Sequence, residues 1–406
     1  MRALFLASLI ATFSLQAQQA IQQFVLPNGL RVLHLEDHDR PLVRARLHVT
    51  VDPRDTPPGR QGLPRLLLRM LDQAETADLK SEDLARILDE SGIQLTQAFD
   101  QGGLDWRMVA RSRDQDRAMG LLADRLLRSV FLPSVLASQR VACWQEEEGT
   151  SAAPKERLKR LLLRDPSWRP TQKSLEAITL QDLLTYRTRV LRPDRAILIL
   201  HGDLGLEQAK RLVLLSLGSW VVQQPSQGAA DTPSLPAAEG PLTIPDSGMG
   251  LRIQAVANRP EDPSPEVAAL LGLLVPGDPG LFPMRVELDD RRLLATLDSP
   301  GGNPGQQSMT LFLERLRVLR GHEFRQLDLD RARSAWLSRR SLESLYPETQ
   351  MDSALAEALG RGVKDDRLKA VTPEVLNATL RAWLDPANLR IGVVGDPELL
   401  KVLVKR

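Results

Sequence analysis

Gly62-Leu63-Pro64-Arg65-Leu66-Leu67-Leu68-Arg69-Met70-Leu71 is the stretch on which the reading of the fold turns. Leu63, Leu66, Leu67, Met70 and Leu71 recur at three- and four-residue intervals, which predicts a short helix with an apolar face. Pro64 suits its first turn, where a missing N–H breaks no hydrogen bond. Arg65 and Arg69 are four apart and share one side of this helix, with Leu68 next to the second of them. A guanidinium has no lone pair to give a metal and carries a positive charge of its own, so this side repels cations. Leu68 has no atom that can take a proton.

Before this helix, Phe24 to Leu35 read as two strands around an Asn28-Gly29 turn, and Leu42 to Val51 as a third. His34-Leu-Glu-Asp-His38 imitates a metal motif, but on a strand its two rings stand about 13 Å apart at ~3.3 Å per residue, too far for one ion. Both histidines are therefore expected to be surface residues. After the helix, a second begins at Ser81, read as its N-cap, turns Leu84, Ile87 and Leu88 inward, and stops at Gly92. A strand pair spans Ile93 to Ala110, and helices follow over Asp114 to Ser129 and Ser134 to Glu148.

Organisation at longer range comes from an internal match. Shifting the chain by 193 positions sets Leu175, Ala177, Thr179, Leu183, Leu191, Pro193, Gly202 and Asp203 on Leu368, Ala370, Thr372, Leu376, Leu384, Pro386, Gly395 and Asp396 without a gap. Each copy reads as a Thr N-cap, a helix, a Pro-containing turn, a buried strand and a Gly-Asp stop. Eight identities in matching roles indicate two homologous domains. Thr179 with Asp182, and Thr372 with Pro373, are two ways of starting the same helix. The expected domains are 22–222 and 246–406, with the Pro-, Ala- and Ser-rich stretch 223–245 as linker. The second domain opens with a strand at Leu251 to Ala257, and helices are expected at Ser264 to Leu274, Leu281 to Asp289, Gln307 to Leu319 and Leu327 to Glu343. Each domain is expected to be α+β, a mixed and largely antiparallel sheet covered by helices on one face.

The 406 residues exceed what a single core organises. Lys plus Arg number 53 and Asp plus Glu 52, leaving almost no net field and arguing against a nucleic-acid partner. Arg2, the uncharged apolar run Ala3 to Phe13 and Ser-Leu-Gln-Ala17 read as a signal peptide over residues 1–17, hence an exported protein. No stretch is long and apolar enough for a transmembrane segment. The single Cys143 lies in a helical pattern and is expected to be buried filler rather than a nucleophile. The Gly-rich turn at Pro300 to Gly305 has no phosphate-loop lysine, and no Gly-x-Ser-x-Gly elbow occurs. His48, His201 and His322 have no ligand partners at local spacing.

The helix at 62–71, the phrase Asn28-Gly-Leu-Arg-Val32 and Leu84 to Leu95 together resemble the N-terminal domain of the insulinase/pitrilysin family of zinc peptidases. There a Gly-Leu-Ala lead-in runs into an inverted His-x-x-Glu-His motif whose histidines hold zinc and whose glutamate activates water. The resemblance implies two domains arranged like a clamshell. It puts Arg65 and Arg69 at the histidine positions and Leu68 at the general base, so no catalytic residue remains. The family's third ligand falls on Glu146, 77 positions after Arg69 and the only retained ligand position. A lone carboxylate there calls for a cation, so Arg69 or Arg65 is expected to pair with Glu146 in place of the ion. The family's substrate-gripping Arg and Tyr correspond to Asp289 and Thr296, both lost unless Arg291 or Arg292 substitutes.

The resemblance thus implies a non-catalytic peptidase-fold subunit, with no cofactor, whose partner is an active zinc-peptidase homologue or a second copy in a homodimer. Two alternatives remain: a zinc metallopeptidase with relocated ligands, and a stand-alone peptide-binding or scaffold protein.

Overall fold

The structure is a computed structural model that describes residues 21–76, 79–99, 103–149, 153–163, 169–222, 242–246, 251–258, 264–275, 284–288, 292–299, 305–398 and 400. The expected signal peptide, Asp289, Arg291, most of the Gly-rich turn and the linker up to residue 241 lie outside these residues.

Alternation of apolar and polar residues builds the first sheet. Its strands are β1 (Gln22–Val25), β2 (Arg31–Glu36), β3 (Leu42–Thr50), β4 (Gln94–Phe99), β5 (Gly103–Arg111) and β6 (Ala196–Gly202), in the order β1-β2-β6-β3-β5-β4. Gly29, at φ 92°, makes the turn between β1 and β2, a backbone state that favours glycine. Among the described residues of this sheet, β2 and β6 are the one parallel pair. The β3–β5 register sets Leu47 opposite Trp106, so Val43, Ala45, Leu47 and Val49 share a buried face with Leu104, Trp106, Met108 and Ala110. Helices in this half are α1 (Leu63–Asp72), α2 (Ser81–Ser91), α3 (Gln115–Leu127), α4 (Pro133–Gly149), α5 (Pro154–Leu163), α6 (Gln172–Ala177), α7 (Leu180–Val190) and α8 (Leu206–Leu217).

The second half contains β7 (Leu242–Pro245), β8 (Leu251–Asn258), α9 (Pro265–Leu274), β9 (Met284–Leu288), β10 (Arg292–Ser299), α10 (Gly305–Gly321), α11 (Gln326–Glu343), α12 (Pro347–Ala358), α13 (Asp365–Ala370), α14 (Pro373–Trp383) and β11 (Leu389–Gly395). Its sheet runs β7-β11-β8-β10-β9, with β7 and β11 the one parallel pair among the described residues. Leu251, Ile253, Ala255 and Ala257 of β8 face a core that includes Phe312, Leu376 and Trp383. The opposite face presents Val256, Leu294 and Val394 to Leu158 and Leu162 of α5. Burying those two leucines contributes about 1.5–3 kcal/mol each.

The internal duplication is visible element by element. α6 and α13, α7 and α14, the 3₁₀ turns Pro193–Arg195 and Pro386–Asn388, and β6 and β11 begin and end 193 residues apart. The strand order matches as well: β2-β6-β3-β5-β4 in one sheet corresponds to β7-β11-β8-β10-β9 in the other, with the same parallel pair. Thr179 and Asp182 cap α7 reciprocally, Thr179 Oγ1 accepting from the Asp182 amide at 3.1 Å and Asp182 Oδ2 from the Thr179 amide at 2.8 Å. Thr372 is the N-cap of α14 but makes no side-chain cap bond, and Pro373 supplies the start.

Several expectations change. The segment expected as a helix over Leu281 to Asp289 holds strand β9, whose Met284 and Val286 are buried while Arg285 and Glu287 are exposed, a period of two. Residues 242–245 of the expected linker are strand β7. Ser81 is the first helical residue of α2, and Lys80 is the N-cap, without a side-chain bond. The compact units also differ from the halves of the sequence. Among the described residues, one comprises 21–51, 71–131 and 187–222, and the other 52–70, 132–186 and 242–400. Within the second of these units, α5 packs on the second sheet.

Candidate functional site

Helix α1 is held at its start by a glycine and two polar ties. Gly62 has φ 96°, and a Cβ there would lie 2.8 Å from the Cβ of Pro170, so only glycine fits. Ser174 Oγ donates to the Gln61 carbonyl at 2.8 Å, and Arg60 Nε donates to Asp182 Oδ2 at 3.0 Å. Leu63, Leu66, Leu67, Leu68, Met70 and Leu71 are all buried, so the helix offers only its arginine side to polar chemistry.

Helix α4 answers that side. Gln139, Cys143, Glu146 and Glu147 recur at helical spacing on it. Arg69 Nη1 donates to Glu146 Oε2 at 2.9 Å, and its Nε donates to Gln139 Oε1 at 3.1 Å. Arg65 Nη1 donates to Glu147 Oε2 at 3.1 Å and stands 3.9 Å from Glu146 Oε1. The expected pairing of Arg69 with Glu146 is present. Burial, however, ranks the pairs the other way: Glu147 is 13% exposed and Arg65 14%, whereas Glu146 is 48% exposed and Arg69 32%. Glu147 and Gln139 were not singled out from sequence. The i, i+4, i+7 spacing of Gln139, Cys143 and Glu146 was the signal available for Gln139, and three successive glutamates concealed Glu147.

Cys143 is fully buried on the same helix. Burial pushes its thiol up to about 11, outweighing the downward pull of Arg65 and Arg69, while Glu146 and Glu147 push it further up. A neutral thiol of this kind is neither nucleophile nor metal ligand.

The site does not fit the zinc ion of the working peptidases. Its two motif positions donate hydrogen bonds rather than lone pairs, Leu68 is hydrocarbon, and both nearby carboxylates are engaged by guanidiniums. Among the described residues no group of three His, Cys, Asp or Glu side chains is placed to hold a metal. Thr296 lies on β10, buried, and its hydroxyl accepts from Gln254 Nε2 at 3.2 Å. It faces a neighbouring strand rather than an open peptide site.

The histidines lie away from α1 and α4 in the chain. His34 is fully buried, contrary to the surface reading: Nε2 contacts the Leu204 carbonyl at 2.7 Å and Nδ1 contacts Gln22 Oε1 at 3.1 Å. Its position on β2, a strand buried over Val32 to Leu35, explains this, and burial lowers its pKa. His38 is exposed and bridges Asp203 at 2.7 Å and Glu36 at 2.8 Å, which raises its pKa. His48 and His201 are buried, and the His322 ring stacks at a tilt 4.5 Å from Phe324.

Comparison with solved structures places the architecture. A protease from Helicobacter pylori superposes with a TM-score of 0.76 over 93% of this chain and 99% of its own, at 14% identity. A peptidase M16 inactive domain from Pseudomonas fluorescens gives 0.72 over 93% and 98%, at 16% identity. The fold is that of the M16 peptidases, the insulinase/pitrilysin type. The periplasmic protease PqqL from Escherichia coli shares this M16 fold at a TM-score of 0.74, 93% of this chain covering 45% of that one at 15% identity. No sequence-family model and no curated protein matches the chain. Likeness at this level of identity speaks to the M16 fold, and the chemistry rests on the residues above. Among the described residues no helix is long and apolar enough to cross a membrane.

Proposed function

We propose that this chain is a non-catalytic M16-fold subunit that pairs with an active zinc-peptidase homologue and forms part of the wall of the peptide chamber. The observation that carries this reading is the closed set of ion pairs between α1 and α4, with Arg65 and Arg69 at the motif positions and Glu146 and Glu147 already neutralised by them. A side of α1 that donates hydrogen bonds and repels cations cannot ligate zinc, and Leu68 cannot activate water. With each arginine matched by a glutamate, the site has little net charge to attract an acidic peptide or a carboxyl terminus. What is left to such a subunit is shape and a partner. Export fits this role: the apolar run after Arg2 reads as a signal peptide, and one protein of similar structure is periplasmic.

The test is affinity isolation of the full chain from its native host, with zinc analysis and peptidase assay of what is recovered. The expected result is a second M16-fold chain with intact histidines, and peptidase activity that is lost to chelator and tracks that chain. Chelator-sensitive cleavage by this chain purified alone overturns the proposal and favours relocated zinc ligands. Recovery of this chain without any M16 relative favours a stand-alone binding protein.

A further inference from the structure

Strands β8 and β10 lie in the same compact unit as α5 and present two unlike faces. One is hydrocarbon, with Leu251, Ile253 and Ala255 beside Leu293, Ala295 and Leu297 in the core. Register places the alternate residues on the other face, Arg252 opposite Asp298, Gln254 opposite Thr296 and Val256 opposite Leu294. β11 extends these rows, with Gly392 beside Gln254 and Arg390 beside Val256. Arg252 is paired, its Nε donating to Asp298 Oδ1 at 2.6 Å. Gln254 is 2% exposed, and its Nε2 donates to Thr296 Oγ1 at 3.2 Å. Its Oε1, however, is buried with no hydrogen-bond partner among the described residues. Turning the amide over leaves its other end unpaired, because one hydroxyl cannot serve both. Arg390 Nε and Nη1 are buried without partners in the same way.

Helix α5 covers this second face with few anchors. Leu158 and Leu162 are buried against it, and Leu161 is partly buried there. Leu158 reaches the sheet over Gly392, where a Cβ would overlap its Cδ1. The ion pair from α5 to the sheet, Lys159 with Glu287 at 3.3 Å, is 37% and 66% exposed, a setting in which such a pair adds little. The seated helix therefore lies over a strip that holds one orphaned acceptor and two orphaned donors. Each lost its water on burial and gained no bond in exchange, so the covered arrangement carries a cost that uncovering removes. A face built to stay shut would be hydrocarbon, as the opposite face of the same strands is.

We propose that α5 is a displaceable cover. It lifts from the second sheet as a unit while the sheet stays folded, and so gates access to the polar strip formed by Thr296, Gln254 and Arg390. Leu158 and Leu162 hold the cover down, and the unpaired groups of Gln254 and Arg390 favour its release. The α1/α4 ion pairs take no part, and the inference does not depend on the proposed function.

The test is native-state hydrogen exchange of the purified full chain, read segment by segment by mass spectrometry. Amides of α5 are expected to exchange at least about 100-fold faster than those of β8 and β10. Q254M/T296V removes the orphaned amide together with its one partner and is expected to slow α5 by about 10-fold; R390M is expected to slow it by about 3-fold. L158A/L162A is expected to speed α5 by at least about 10-fold and to leave β8 and β10 within about 3-fold of the parent. Circular dichroism checks that each variant is folded. Exchange of α5 no faster than that of β8 and β10 overturns the proposal. So does a loss of protection in β8 and β10 that matches that of α5 in L158A/L162A. A helix that neither Q254M/T296V nor R390M slows overturns it as well, and these two variants decide the matter even where L158A/L162A does not fold.

Discussion

Removing the Glu147 carboxylate is predicted to destabilise the α1/α4 site more than removing that of Glu146, although Glu146 was the residue that sequence reasoning selected. Charges about 4 Å apart attract by ~4 kcal/mol at an effective dielectric constant of 20 and by ~1 kcal/mol in water. Arg65 and Glu147, at 14% and 13% exposure, lie nearer the first limit, and their desolvation offsets much of the gain. A net coupling of ~1–2 kcal/mol remains. Arg69 and Glu146, at 32% and 48%, lie near the aqueous limit, where such pairs give about 0–1 kcal/mol. The assay is a pair of double-mutant cycles in urea followed by tryptophan fluorescence, R65Q with E147Q and R69Q with E146Q. Because Arg65 also approaches Glu146, at 3.9 Å, the Arg65–Glu147 cycle is repeated on the E146Q background and the Arg69–Glu146 cycle on the R65Q background to isolate each pair. E147Q alone should cost ~1–3 kcal/mol because it leaves Arg65 half-satisfied and largely buried. Coupling for Arg69–Glu146 equal to or above that for Arg65–Glu147 refutes the burial ranking.

R65H/R69H exchanges two donors for two imidazole acceptors beside the glutamates of α4. It is expected to take up about one zinc per chain by elemental analysis after dialysis, where the parent takes up none; failure to bind would mean that the α1–α4 spacing is no longer a metal spacing. Cys143, buried with its thiol pushed up to about 11, should resist alkylation by iodoacetamide at pH 8 until urea unfolds the chain, and rapid labelling of native protein would show the site to be open. His38 bridges two carboxylates and has a raised pKa, so its stabilising contribution is full below the unfolded value of 6.5 and fades as pH rises through the folded value. Its imidazole resonances should titrate above 6.5 in the parent and return toward 6.5 in E36Q/D203N; an unshifted midpoint in the parent would remove the bridge.

Much of this architecture was legible because the relevant rules are local. Pro64, the apolar spacing from Leu63 to Leu71, and the Thr179/Asp182 cap each act within a turn or two of helix, and the structure has α1 and α7 there. The 193-residue shift worked for a related reason: two copies of one folding pattern repeat their turn residues at the same places, so Pro193 and Pro386 mark the same 3₁₀ turn. The misses required partners distant in sequence. Met284 and Val286 are buried on a strand that pairs with β10, and an isolated nine-residue segment did not reveal the alternation. His34 is polar by type yet buried by a strand with neighbours on both edges. At the site, Arg65 and Arg69 were found from their chemistry, but the choice between Glu146 and Glu147 depends on how α4 is turned, and no residue between 133 and 149 fixes that by itself.

Helix α5 leaves the ribosome long before the sheet that shelters it. Leu158 and Leu162 come to rest against β7, β8, β10 and β11, and the last of these ends at Gly395, 233 residues after Leu162. At ~5–20 residues per second the two leucines remain uncovered for about 10–50 seconds of translation. In that interval α5 is an apolar handle available to a chaperone, and closure of the second sheet ends the opportunity.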